Sequence, residues 1–160
     1  MGRRTPGRPG DRLDADAVPA GFSLLELLLV IAIASAMATA AVPGLARMQQ
    51  GWALWSGARM VEMSLQWGRM RAVAANAPVM FEVAGDGRSF VWKDPESGDG
   101  YAATGRVLGG GVRIVASPAR PLRFYPRGNA APSGTYKVAG AAGSYSVVVA
   151  PGGRVRVQKD

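Results

Sequence analysis

The sequence contains no cysteine and no histidine. Without cysteine there is no disulfide framework and no thiolate zinc site. Without histidine the usual general base at neutral pH is missing, and with it the Ser–His–Asp arrangement and the commonest metal ligand. Acidic side chains are also scarce, with 11 Asp and Glu against 19 Lys and Arg. The densest acidic group is Asp94, Glu96 and Asp99 in "KDPESGDG". Loop oxygens bind calcium in some proteins, but this spacing is not that of an EF-hand, and such Pro/Gly/Asp loops are ordinarily turns. "GRVLGGGVR" has glycines but lacks the lysine and Ser/Thr of a phosphate-binding loop. No metal, no cofactor and no enzymatic activity are therefore expected.

Charge itself is absent from Leu27 to Ala46. About 20 apolar residues span the hydrocarbon core of a bilayer. Residues 22–50 are therefore expected to hold a transmembrane helix, preceded by a Gly-, Pro-, Arg- and Asp-rich segment over 1–21 that reads as disordered. Arg3, Arg4, Arg8 and Arg12 ahead of the run favour a cytoplasmic N-terminus. The four Arg meet three Asp in that segment, so +7 of the formal +8 belongs to the rest of the chain. A buried core helix is the bland alternative. A cleaved secretory signal, ending at the A-x-A-like Ala38-Thr39-Ala40, is the sharper one.

One acid, Glu26, stands at the front edge of the run. A carboxylate in a membrane costs a few kcal/mol on insertion scales, ~3, unless it has a partner. Glu26 either snorkels to the interface or is held for a cation that another molecule supplies.

Beyond Ala46 the helical period continues. Trp52, Trp55, Met60, Met63, Trp67, Met70 and Ala74, with Arg59 among them, recur at steps of three and four. This stripe is expected to pack on a sheet, with Glu62, Gln66 and Arg69 on another face. Asn76-Ala77-Pro78 should end the helix near residue 76, because the residue before proline avoids the helical region. Strands are expected at Val79–Val83 and Ser89–Trp92 around the turn Gly85-Asp86-Gly87, and at Val112–Ala116, Leu122–Tyr125, Gly134–Val138, Tyr145–Ala150 and Arg154–Gln158. The fold class is α+β: a long N-terminal helix, half in the membrane, and a small antiparallel β domain over 51–160. Alternation in the last strand puts Arg154 and Arg156 on one face, with Lys159 nearby, as a candidate anion- or DNA-binding edge.

Gly21-Phe22-Ser23-Leu24-Leu25-Glu26 resembles the prepilin cleavage motif of type IV pilins and type II secretion pseudopilins. The resemblance implies that a prepilin peptidase cuts between Gly21 and Phe22 and methylates the new amine of Phe22. Glu26 would then pair with the Phe22 ammonium of a neighbour during filament assembly. Pro43 sits where that family often has a proline. The whole layout resembles the minor pseudopilins of the GspH/FimT family. "RMRA" (Arg69–Ala72) before Asn76-Ala77-Pro78-Val79, "FYPRG" (Phe124–Gly128) and "GRVR" (Gly153–Arg156) carry that likeness. It implies a single-pass inner-membrane protein with a periplasmic domain. In a type II secretion pseudopilus it would sit near the tip, among other pseudopilins, and serve export across the outer membrane. The alternative is a FimT-like minor type IV pilin that binds DNA for uptake.

Overall fold

The computed structural model describes Gly2, residues 22–101 and residues 105–160. The expected leader over 1–21, Gly2 apart, lies outside the described residues, and Gly21 with it. One helix, α1 (Leu24–Ala75), is followed by nine strands. These are β1 (Val79–Val83), β2 (Ser89–Lys93), β3 (Arg106–Val107), β4 (Arg113–Ala116), β5 (Leu122–Phe124), β6 (Ala130–Ala131), β7 (Gly134–Gly140), β8 (Gly143–Val149) and β9 (Val155–Lys159). The chain forms two compact units, divided between Ala40 and Ala41.

In the first unit, Ser23 caps the helix. Its hydroxyl accepts from Leu25 N at 3.3 Å, and its carbonyl accepts the first intrahelical bond from Leu27 N at 3.1 Å. The apolar side chains that follow are exposed, Leu27 to Ile33 at 50–59%. α1 is the one described helix long and apolar enough to cross a membrane, with a mean hydropathy of 2.2 over its most apolar window. Pro43 lies inside it.

The second unit holds the core. α1 ends at Ala75 in a motif that satisfies its last carbonyls: Ala77 N donates to Ala72 O and Asn76 N to Val73 O, both at 3.3 Å. Asn76 takes the left-handed conformation this needs, φ +49°. The strands form two antiparallel sheets, β3-β2-β1-β5-β6 and β4-β7-β8-β9. The two-residue strands β3 and β6 have too few residues for an alternation to show in the sequence.

The buried face of α1 is not the Trp/Met stripe. It is Leu54, Gly57, Ala58, Val61, Leu65, Gly68 and Ala72. Trp52, Met63 and Met70 remain 63–66% exposed, and Trp55 and Trp67 are exposed as well; Met60 alone of that stripe packs partly on the core. The reason is the sheet's own bulk. Trp92 of β2 is fully buried against α1, with Nε1 donating to Ser64 Oγ at 2.8 Å. A β-carbon at Gly68 would sit within 2.5 Å of Cη2, Cζ2 and Cζ3 of that indole. The sheet supplies the large side chains, so the facing helix must supply small ones. Around Trp92 gather Phe81 at 4.9 Å and Phe124 at 6.0 Å between ring centroids, and Tyr136 of the other sheet meets Phe81 edge-on at 5.4 Å. Burial pushes the Tyr136 phenol well above its ordinary pKa, so it stays neutral.

Candidate functional site

Two regions carry the residues singled out in the sequence. The first is the start of α1. Ser23 and Glu26 stand at the cap and the third helical position, the spacing of a capping box. Glu26 lies in the first turn, where a negative charge complements the helix dipole. Among the described residues its carboxylate has no hydrogen-bond or ion-pair partner. Phe22, just before the cap, is 86% exposed. Capping therefore offers Glu26 a local role that the sequence reading did not consider.

The second region is β9, an edge strand of the second sheet. Arg154 and Arg156 are both exposed. Val155 and Val157 turn to the core, as the alternation predicts. Register decides the rest. Arg156 pairs with Val148, Gln158 with Ser146 and Lys159 with Tyr145. Lys159 thus shares the face of Tyr145 and Val157, opposite to Arg154 and Arg156; it does not extend their row. The cations that do share the arginine face are Lys137, opposite Ser146, and Arg113, opposite Ala139. Lys137 is partly neutralised by Asp160 at 3.1 Å. Arg154 and Arg156 have no carboxylate partner among the described residues.

Asp160 accepts from Ser146 Oγ at 2.6 Å and Ser144 Oγ at 2.7 Å. These bonds, with that from Lys137, hold its carboxyl down to about 2 from an ordinary 3.8. A carboxyl depressed on folding contributes stability above its unfolded pKa, and that contribution is lost as pH falls through its folded one. The Asp160 side-chain carboxyl should accordingly titrate near pH 2 by NMR. In Ser144→Ala with Ser146→Ala the midpoint should rise toward the ordinary carboxylate range.

Among the described residues no three acidic side chains gather where a metal ion could be held. Asp94 instead closes its own turn, Oδ1 accepting from Glu96 N at 2.8 Å and Ser97 N at 3.3 Å.

What the sequence reading missed is the exposed flank of α1. A cleft of about 780 Å³ runs along it, lined by Trp55, Arg59, Met63, Trp67, Met70 and, from β3, Arg106. Arg59 lies 5.7 Å from the Trp55 ring centroid and pairs with Glu62 at 2.6 Å. The signal was present, because the same residues formed the stripe; only its destination was misread. Contiguous apolar surface of this kind marks an interaction site.

One long apolar-started helix and two antiparallel sheets define a pilin-like α+β protein. The profile of the GspH family, described as type II transport protein GspH, matches residues 57–153. That is more than half of the chain, and the chain belongs to this family. Solved structures of two proteins have a similar fold. The type IV minor pilin FimU of Pseudomonas aeruginosa matches at TM-score 0.57 and 19% identity, over 66% of this chain and 87% of that one. The minor pseudopilin EpsH from the type 2 secretion system of Vibrio cholerae matches at 0.55 and 13% identity, over 66% of this chain and 96% of that one. No curated protein sequence matches the chain. The chain is thus a minor pilin-like or pseudopilin-like component, and the apolar start of α1 gives such a component a membrane anchor.

Proposed function

We propose that this chain is a minor pseudopilin of a type II secretion pseudopilus, acting structurally in protein export across the outer membrane. The observation that carries the reading is the start of α1: Glu26, four residues after Phe22 and without an ion-pair partner among the described residues, stands at the head of a charge-free run. The chain is made as a prepilin with a leader over 1–21. Prepilin peptidase cuts between Gly21 and Phe22, and the Phe22 amine is methylated. Residues 22–50 hold the subunit in the inner membrane with its N-terminus cytoplasmic, and residues 51–160 lie in the periplasm. In the filament the Phe22 ammonium of one subunit neutralises Glu26 of the next, and neighbouring subunits cover the Trp55–Met70 flank. The reading needs no catalytic residue, cofactor or metal.

Mass spectrometry of the membrane fraction should find a mature chain that begins at Phe22 and carries a methylated amine. Gly21→Val should accumulate the uncut form, because a branched side chain replaces a hydrogen at the cleavage position. A chain that begins at Ala41 would instead identify a cleaved secretory signal and end the pseudopilin reading.

A second reading is favoured by Arg154 and Arg156, exposed at a sheet edge and without a carboxylate partner among the described residues. In it the chain is a minor type IV pilin that binds DNA for uptake. Two residues along a strand span about 6.5–7 Å, so both guanidiniums can reach along one phosphate backbone. Arg presents a planar fork suited to phosphate oxygens.

A further inference from the structure

Two segments far apart in the sequence, "YPRGN" (residues 125–129) and "APGGR" (residues 150–154), fold as the same turn. In Tyr125–Gly128, Gly128 N donates to Tyr125 O at 2.8 Å and Tyr125 N to Asn129 O at 3.0 Å. In Ala150–Gly153, Gly153 N donates to Ala150 O and Ala150 N to Arg154 O, both at 2.9 Å. Each has proline second and a left-handed glycine fourth, Gly128 at φ +79° and Gly153 at φ +74°. Each glycine supplies the bulge that closes a hairpin.

The two turns come from different sheets and are locked together. A β-carbon on Gly153 would overlap the carbonyl oxygen of Gly128. Arg69 Nε of α1 donates to that same oxygen at 3.1 Å, and Ala130 N donates to Pro151 O at 2.9 Å. The residue before Gly128 is Arg127 and the residue after Gly153 is Arg154. Both are exposed, and among the described residues neither has a carboxylate partner.

We propose that Arg127 belongs to the same phosphate-binding edge as Arg154 and Arg156, placed there by the Gly128–Gly153 contact, so that one duplex backbone meets three guanidiniums from two sheets. This rests on the DNA-binding reading above. Arg69 acts as a positioning residue, since its guanidinium holds the Gly128 carbonyl against Gly153. The occupant is a polyanion, because a second copy, carrying +7 without residues 1–21, would be repelled by these cations, which have no carboxylate partner among the described residues.

The test is fluorescence anisotropy with mixed-sequence duplex DNA and the full chain in nonionic detergent, at several salt concentrations. Each lost phosphate contact flattens the plot of log affinity against log salt by about 0.9. Arg154→Gln with Arg156→Gln should flatten it by about 1.8, and Arg127→Gln alone by about 0.9. Arg88→Gln should leave the slope unchanged. Arg88 lies in the β1–β2 turn, whose Gly87 carbonyl accepts from Ile114 N of β4, the strand at the opposite edge from β9. If Arg127→Gln leaves the slope unchanged while the double variant flattens it, the proposal fails and the DNA reading stands. Equal flattening by Arg88→Gln would show diffuse attraction and would overturn the proposal as well. An absence of wild-type binding at low salt removes the DNA reading and the proposal together.

Discussion

Glu26→Leu should leave membrane insertion intact and lower incorporation into the filament roughly a hundred- to a few thousand-fold. The substitution removes a polar cost from the apolar segment, so the amount in the membrane fraction should hold or rise. Assembly is different, because the neighbour's Phe22 ammonium would enter the packed filament without its counter-charge. Breaking one partner of a buried pair costs about 3–5 kcal/mol, and each 1.4 kcal/mol is about tenfold. Capping is the rival role for this residue, and Glu26→Gln separates the two. Glutamine keeps a side-chain oxygen at the capping-box spacing from Ser23 but carries no charge. Glu26→Gln should assemble almost as poorly as Glu26→Leu. Immunoblots of sheared filaments and of membranes read both quantities. Normal assembly of Glu26→Gln would assign Glu26 to the helix cap and sink the pairing account.

Gly68→Ala should destabilise the Ala41–Asp160 unit by about 2–3 kcal/mol, the upper part of the range for overpacked cores. The usual gain of about 1 kcal/mol from replacing a helical glycine by alanine is outweighed, because the methyl group lands on three atoms of the Trp92 ring. Trp92 cannot withdraw easily. It is fully buried, hydrogen-bonded to Ser64 and packed on Phe81 and Phe124. The three atoms in the way, Cη2, Cζ2 and Cζ3, belong to the outer ring that phenylalanine lacks. Gly68→Ala with Trp92→Phe should therefore be less destabilised than the sum of the single variants, with a coupling of about 1 kcal/mol or more. Thermal unfolding followed by circular dichroism measures all three. Strict additivity would show that the alanine methyl does not meet the indole.

Local chemistry was legible without coordinates. Asn76-Ala77-Pro78 stops α1 because asparagine tolerates the left-handed cap and proline cannot continue a helix. Gly85-Asp86-Gly87 turns β1 into β2, with Asp86 Oδ1 accepting from Arg88 N at 2.9 Å. The longer strands fall where β-branched and aromatic residues alternate. The error in α1 was of another kind. Its sequence carries two stripes of the same period, one of Trp and Met, one of Leu, Val, Ala and Gly. Periodicity finds both, and hydrophobicity alone prefers the larger residues.

The sequence by itself determined an apolar membrane-length segment, an acid at its head, the end of the helix near Asn76 and an α+β order of elements. These depend on neighbours a few positions apart, and short-range sterics and solvation decide them. Only the tertiary structure decided which stripe is buried, because helix–sheet distance is set by what the sheet contributes, here Trp92 against Gly68. Only strand pairing set Lys137 and Arg113 on the face of Arg154 and Arg156. And only the contact of Gly128 with Gly153, 25 positions apart in the chain, brought the turn that carries Arg127 against the turn that precedes Arg154. Contacts between remote segments depend on the shapes of both partners at once, and a linear pattern holds only one of them at a time.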